Sequence, residues 1–266
     1  MHLTANVRPG ATLAAKHMQA ILLVGGKGTR LQTVVASKPK PLAAVGNAPF
    51  LELLVMQLRS QGIRRMIMST GHLAEQIEAS FGDGRRWEAD IQYAREREPL
   101  GTAGAVKFAA SRSKEDSDFL VVNGDSFIEL DIQGFIRFHR EHEALVSMVV
   151  CKISDAARYG TVQFDDGKRV TGFSEKMGKQ QPGFINAGAY IFKRAILDRI
   201  PPGPCSLEKD VFPELLTQGM YAFEAQGIFI DIGTPEDYAR AQTLYEKLRQ
   251  AAVAEPQLQA SKVSNS

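Results

Sequence analysis

The 266-residue sequence predicts an α/β fold built on a mostly parallel mixed sheet, and three observations carry that prediction. Short apolar runs that end in turn residues alternate with segments of helical period. The first run, Ile21-Leu22-Leu23-Val24, passes straight into two glycines, as a strand buried on both faces does. The last segment opens as a capped helix, with Thr234 as N-cap, Pro235 at the first helical position, and Glu236 and Asp237 against the dipole.

Between these ends each element has its own signal. Pro49 opens a helix whose apolar face is Phe50, Leu53, Leu54 and Leu58, and Gly62 closes it. Residues 64–70 and 119–122 read as strands, the latter ending at Asn123-Gly124-Asp125. Residues 132–142 read as a helix and 145–153 as a strand. Residues 161–173, with Asp166-Gly167 in the middle, read as a hairpin. Residues 189–192 and 228–230 are further strands. The final helix presents Tyr238, Ala241, Tyr245 and Leu248 on its apolar face. Residues 1–17 read as a flexible extension, 18–250 as one domain, and 251–266 as a flexible tail. No repeat is visible, and no hexapeptide repeat follows Leu248.

Composition narrows the function classes. Apolar residues make up 44% and charged residues 23%, which excludes a disordered, collagen-like or fibrous chain. A chain of this length buries roughly 70–75% of its unfolded surface, so it needs no disulfide or structural metal for a core. No apolar run approaches 18 residues, so no membrane-crossing helix is expected. The 32 basic and 30 acidic residues leave a net charge of +2, which gives no reason to expect nucleic acid or a membrane as partner. Cys151 and Cys205 form no CxxC pair and read as buried thiols in a reducing compartment. No charged and apolar leader pattern opens the chain, so the cytoplasm is the expected location.

Parallel sheets bind ligands beyond the carboxyl ends of their strands, which is where chemistry is sought. The first strand ends in Gly25-Gly26-Lys27-Gly28-Thr29-Arg30-Leu31. Three glycines let backbone N–H groups approach a phosphate, and Arg30 adds a bidentate fork. Alone, the glycines read equally as a tight turn, and Lys27 either touches phosphate or faces water. No GxxxxGK[ST] is present, and the spacing lacks the last small residue of a dinucleotide site. Ten residues on, the prolines of Lys38-Pro39-Lys40-Pro41 fix the backbone around Lys40, which suits a polyphosphate.

These two motifs resemble the sugar-1-phosphate nucleotidyltransferase family. The resemblance continues through Glu98-Pro99-Leu100-Gly101-Thr102-Ala103-Gly104-Ala105, Asn123-Gly124-Asp125, Phe173-Ser174-Glu175-Lys176, Asn186-Ala187-Gly188 and Asp231-Ile232-Gly233-Thr234-Pro235, in the family's order over residues 18–248. It implies a Rossmann-like α/β/α sandwich with a small hairpin arm on the sugar side. It also implies an enzyme that joins a nucleoside triphosphate to a sugar 1-phosphate and releases pyrophosphate. Such transfer works by positioning and charge neutralisation, and the anionic sugar phosphate needs no general base.

The resemblance assigns roles by position. Asp125 and Asp231 would hold Mg²⁺, whose preference for few hard carboxylate oxygens they suit. As alternatives, Asp125 is a turn residue and Asp231 serves a helix dipole. Arg30 and Lys40 would bind the triphosphate, with Gly25, Gly26, Gly28, Thr29, Gly101 and Thr102 around the nucleotide. Lys176 would bind the sugar phosphate, with Gly160, Glu175 and Asn186 around the sugar, unless Glu175-Lys176 is an exposed pair on the arm. Arg30, Lys40, Asp125 and Lys176 form the implied catalytic set. Glu96 stands where the family reaches the base edge, and a carboxylate there suits guanine's N1–H and 2-amino group. Its alternative is an ordinary charge in the run Arg95-Glu96-Arg97-Glu98. The implied substrates are therefore GTP and a sugar 1-phosphate, with a homodimer left open. The ending Phe229-Ile230-Asp231-Ile232-Gly233-Thr234-Pro235-Glu236-Asp237-Tyr238 looks most like the D-glycero-α-D-manno-heptose 1-phosphate guanylyltransferases. Mannose-1-phosphate guanylyltransferases come next, then uridylyl- or thymidylyltransferases on another hexose 1-phosphate.

A regulatory nucleotide-sugar-binding domain would lose the two acids, and a glycosyltransferase would need a DxD motif that Asn123-Gly124-Asp125 does not supply. His139 and His142 read as a solvated helix face, and Trp87 as packing.

Overall fold

The computed structural model describes residues 15, 17–26, 31, 38–113, 117–174 and 181–254. The chain starts with β1 (Gln19–Leu23), then a minimal hairpin of β2 (Ala44–Val45) and β3 (Ala48–Pro49), and α1 (Phe50–Ser60). Next come β4 (Arg65–Thr70), α2 (Ala74–Phe81), β5 (Asp90–Arg95), α3 (Gly101–Ala110) and β6 (Asp118–Asn123). The second half holds β7 (Ser126–Ile128), α4 (Ile132–Glu141), β8 (Val146–Ile153), β9 (Thr161–Phe164), β10 (Val170–Ser174) and β11 (Gly183–Lys193). It closes with α5 (Phe212–Leu215), β12 (Met220–Ala225), β13 (Phe229–Asp231) and α6 (Pro235–Val253).

The central sheet runs β10-β9-β11-β6-β1-β4-β5, with β8 paired to β11 and β12. It is parallel through β5, β4, β1 and β6, and again between β8 and β12; β11 is antiparallel to β6 and β8. The expected mostly parallel sheet is thus parallel in its first half and mixed in its second. From β1 the chain steps outward to β4 and β5, then returns to place β6 on the other side of β1. That reversal between β1 and β6 is a topological switch point, where a crevice opens beyond the strand ends.

Period-two alternation splits the core between two faces. Ala20 and Leu22 of β1 join the layer under α1, α2, α4 and α6, with Phe50, Leu54, Ile77, Phe135 and Leu248. Ile21 faces the opposite layer, with Val106 of α3, Phe212 and Leu215. Helices on both faces make the three-layer sandwich. The arm is the β9–β10 hairpin, where Lys168 takes the positive φ of the turn.

Three expectations change. Ala15 is fully buried and its carbonyl accepts from Met18 N at 3.2 Å, so the ordered chain begins before residue 18. At the other end α6 continues to Val253 with Ala251 and Ala252 buried, because those alanines pack into the core that residue 250 was expected to end. His139 is not on a solvated face; it is buried, with Nδ1 at 2.8 Å from the Ser147 Oγ of β8. The surrounding Arg140, Glu141 and Glu143 hid this, because the first two occupy other sides of the helix and Glu143 lies in the turn beyond it. Trp87 packs as expected, stacked on Phe81 with ring centroids 4.9 Å apart.

Burial, with Lys193 and Arg140 nearby, lowers the His139 pKa to about 4. The folded chain therefore resists a proton that the unfolded chain accepts near pH 6.5. Stability from this group is unchanged above pH 6.5 and falls as pH drops towards 4. Urea unfolding at pH 7.5 and pH 4.5 should show wild type losing about 2 kcal/mol more than His139→Gln over that interval. Equal losses would remove His139 as the cause.

Candidate functional site

A cleft of about 790 Å³ opens at the switch point. Its lining includes Gly25, Gly26, Lys40, Ser69, Glu96, Gly101, Thr102, Asn123, Asp125 and Gly233. These residues come from the carboxyl ends of β1, β4, β5 and β6, from the start of α3, and from the turn after β13. The parallel register sets Leu23 beside both Ser69 and Asn123, so the next residues of each strand emerge at one level.

The charged end of the cleft is built from three distant segments. Pro39 is held extended before a 3₁₀ turn, Lys40–Leu42, which buries Lys40. Asp125 follows β6, and Asp231 ends β13. The β7–β13 pairing sets Asp231 opposite Ser126, and Ile232 N donates to the Asp125 carbonyl at 3.0 Å. The two carboxylates thereby share one cation. Lys40 Nζ lies 2.7 Å from Asp125 Oδ2 and 3.4 Å from Asp231 Oδ1. Burial raises the Asp231 pKa, the neighbouring Asp125 adds to it, and Lys40 opposes both. A second cation at this point would relieve the same repulsion. Both donors are hard carboxylate oxygens, which suit a divalent cation. Among the described residues no three His, Cys, Asp or Glu side chains converge, so water and ligand oxygens would complete the shell.

The opposite end is built for close approach. Gly26 has open space where a Cβ would stand, whereas a Cβ on Gly25 would come 3.1 Å from Glu96 Oε1. Glu96 follows β5 and is held at both oxygens. Oε1 accepts from Ser69 Oγ at 3.1 Å, and Oε2 accepts from Leu100 N at 2.9 Å, just before α3. Gly101 has φ +69°, and a Cβ there would meet the Cys205 carbonyl oxygen at 2.5 Å.

Not every expected residue faces the cleft with free groups. The Thr102 hydroxyl donates to Glu208 and accepts from Leu207 N, so it ties residues 206–208 to α3. Asn186 and Gly160 are outside the cleft lining. The Asn186 amide donates to Tyr190 OH at 2.7 Å and accepts from Gly188 N at 3.0 Å, where β11 bulges as it changes partners. Gly28, Thr29, Arg30, Glu175 and Lys176 lie outside the described residues. The sequence reading gave no role to Ser69, Asn123 and Gly233; the strand-end rule points to all three, since Asn123 ends β6, Ser69 is one residue before the end of β4 and Gly233 lies two residues beyond β13.

A second cavity has a volume of about 690 Å³. Arg158, Tyr159, Phe184 and Phe229 line it, and Phe229 shares a face of β13 with Asp231. Arg158 donates to Asp237 at 2.9 Å, tying this loop to the cap of α6. Burial and the Asp237 and Asp231 carboxylates push the Tyr159 phenol up to about 12.

A model of the nucleotidyl transferase family matches residues 19–248. The chain is 37% identical over 232 residues to the mannose-1-phosphate guanylyltransferase of Mycobacterium tuberculosis, covering 86% of this chain but only 64% of that protein. It is 40% identical over 227 residues to the D-glycero-alpha-D-manno-heptose 1-phosphate guanylyltransferase of Aneurinibacillus thermoaerophilus, covering 85% of this chain and 97% of that one. Its fold is similar to the crystal structure of HddC from Yersinia pseudotuberculosis, also solved with GMP-PN. There the TM-score is 0.78 at 36% identity, covering 86% and 99% of the two chains.

The two cleft glycines separate fold from binding. Gly101→Ala should destabilise the protein by about 2–4 kcal/mol, from positive φ and overpacking. Gly26→Ala should leave the melting temperature nearly unchanged and weaken nucleotide binding. Thermal melting with nucleotide titration measures both, and the reverse order of effects would refute the geometry.

Proposed function

The chain belongs to the nucleotidyl transferase family, and on that premise we propose that it condenses GTP with a sugar 1-phosphate to give a GDP-sugar and pyrophosphate. The observation that carries this reading is the convergence of an acceptor-only Glu96 with the Lys40–Asp125–Asp231 group in one cleft. One end is suited to guanine and the other to polyphosphate. The reaction forms a bond from a sugar-phosphate oxygen to the α-phosphorus. The bond from that phosphorus to the bridging oxygen breaks, and pyrophosphate leaves with the electron pair.

The substrate oxygen is already an anion, so the chain's task is to bring anions together. Gly25 and Gly26 let the nucleotide lie against backbone. Lys40 supplies positive charge to the phosphates, and Arg30 and Lys176 are read as further phosphate ligands from their motifs. Mg²⁺ would be held by Asp125 and Asp231 and, when bound, would neutralise charge on the phosphate oxygens.

For the sugar, we favour a D-glycero-α-D-manno-heptose 1-phosphate. The relative of that name matches this chain over nearly its whole length, whereas the chain spans 64% of the mannose relative's. The aromatic and polar walls of the second cavity, with Phe229 on the same face of β13 as Asp231 and Tyr159 preceding Gly160 in the chain, support seating the sugar there. Glu175 and Asn186 are read as its further contacts. Mannose 1-phosphate is the second reading, favoured by the 37% identity to a mannose enzyme.

Pyrophosphate release with GTP, ATP, UTP, dTTP and CTP against a panel of sugar 1-phosphates tests the proposal directly; no release with any pair would defeat it. Asp125→Asn and Asp231→Asn should each lower turnover at least about tenfold, ~1.4 kcal/mol in the barrier, while melting stays near wild type. Turnover within that limit would remove the metal assignment.

Glu96→Gln should erode the preference for GTP over UTP by about five- to a hundredfold in kcat/KM, since a mispaired buried donor costs roughly 1–3 kcal/mol. An unchanged ratio would mean that Glu96 does not read the base.

A further inference from the structure

We propose that Ser69, at the end of β4, is a positioning residue for guanine selection, acting through Glu96. The inference rests on the reading of Glu96 as the base-reading group. An ionised carboxylate offers about four lone-pair sites. Two are committed within the protein: Oε1 to the Ser69 hydroxyl at 3.1 Å and Oε2 to Leu100 N at 2.9 Å. One site on each oxygen remains, and both belong to a side chain that lines the cleft. Guanine's edge presents two donors side by side, N1–H and the 2-amino group. The number and spacing of open acceptors match that pair.

Ser69 controls where the pair stands. Leu100 N alone would let the carboxylate pivot about one bond; the hydroxyl supplies the second point that fixes its plane. The oxygen that Ser69 holds is the one facing the glycine turn, since a Cβ on Gly25 would lie 3.1 Å from it. Ser69 itself is anchored to that turn. Its carbonyl accepts from Val24 N at 3.0 Å, one residue before Gly25. The hydroxyl, the turn and the carboxylate therefore move as one frame. Ser69 is fully buried, so water does not readily replace its hydroxyl in Ser69→Ala.

A carboxylate free to pivot loses most with a base that needs both oxygens at once. Inosine keeps N1–H and lacks the amino group, and uracil offers one donor between acceptors. The loss should thus rank GTP above ITP and UTP.

The experiment measures kcat and KM for GTP, ITP and UTP in wild type, Ser69→Ala, Ser69→Cys, Glu96→Gln and the Ser69→Ala, Glu96→Gln double variant. Ser69→Ala should raise KM for GTP about tenfold, with kcat nearly unchanged and smaller effects on ITP and UTP. Ser69→Cys, which keeps the volume with a weaker donor, should fall between, and it carries the test if Ser69→Ala melts early. In the Glu96→Gln background Ser69→Ala should no longer change the GTP-to-UTP ratio. Equal losses for all three nucleotides, a fall in kcat alone, or additive effects in the double variant would overturn the proposal. If Glu96→Gln shifts the ratio and Ser69→Ala does not, only the Ser69 assignment falls. If Glu96→Gln leaves the ratio unchanged, the reading of Glu96 falls and this inference with it.

Discussion

Two carboxylates that stand close together at the end of a sheet repel each other unless a cation or a shared proton stands between them. Here that cation is Lys40, and much of the second half of the chain serves to make the meeting happen. Asp125 lies 85 residues from Lys40, and Asp231 lies 191 residues from it. The short β7–β13 pair, the Ile232-to-Asp125 backbone bond and the cap of α6 exist on this side of the molecule to fix those two acids. Without Lys40 the raised proton affinity of Asp231 would increase further, since its opposing charge would be gone. The ammonium is therefore the charge that holds the Asp231 pKa back from a still higher value.

The other end of the cleft depends on backbone rather than charge. Side chains are absent at Gly25 and Gly26, and the start of α3 is pressed so closely by residues 203–205 that Gly101 and Gly104 have no room for a Cβ. A glycine-rich helix start is intrinsically weak. It is supported here by Glu96, which holds Leu100 N just before its first turn, and by Thr102, which fastens it to Leu207 and Glu208. The carboxylate proposed to read the base thus also anchors the entry to this helix.

The sequence made legible what local physics decides. Helices α1, α4 and α6 carry their signals in a proline or cap at one end and an apolar face along their length. The strands β1, β4, β6 and β8 are apolar runs bounded by turns. Helix α2 escaped because it begins after Leu73 at φ 56° with no side-chain cap. Helix α3 escaped as a helix because two of its ten residues are glycines and no side chain caps its start. Strand β12 shows no clear period and is fixed by its parallel pairing with β8. Residue types at the site were legible through motifs, but not their partners. Nothing in the spacing tells that Lys40 bridges both acids, that Ser69 backs Glu96, that the Asn186 amide closes a bulge, or that His139 turns inward to Ser147.

The sheet topology also separates two tasks that might otherwise interfere. Of the charged groups, Lys40 comes from the turn after β1, Asp125 follows β6 and Asp231 ends β13. The groups proposed to lie against the base come from β4, the end of β5 and the start of α3, on the side of β1 opposite β6. β1 is shared, and its glycine turn spans the gap. An exchange at the Ser69–Glu96 side changes hydrogen-bond polarity without moving a charge near Lys40, Asp125 or Asp231. An exchange at the charged side alters the electrostatics of transfer without touching the acceptor pair. Among the described residues the two sets of side chains share a strand but no side-chain hydrogen bond, so the base preference and the transfer chemistry proposed for this cleft can change separately.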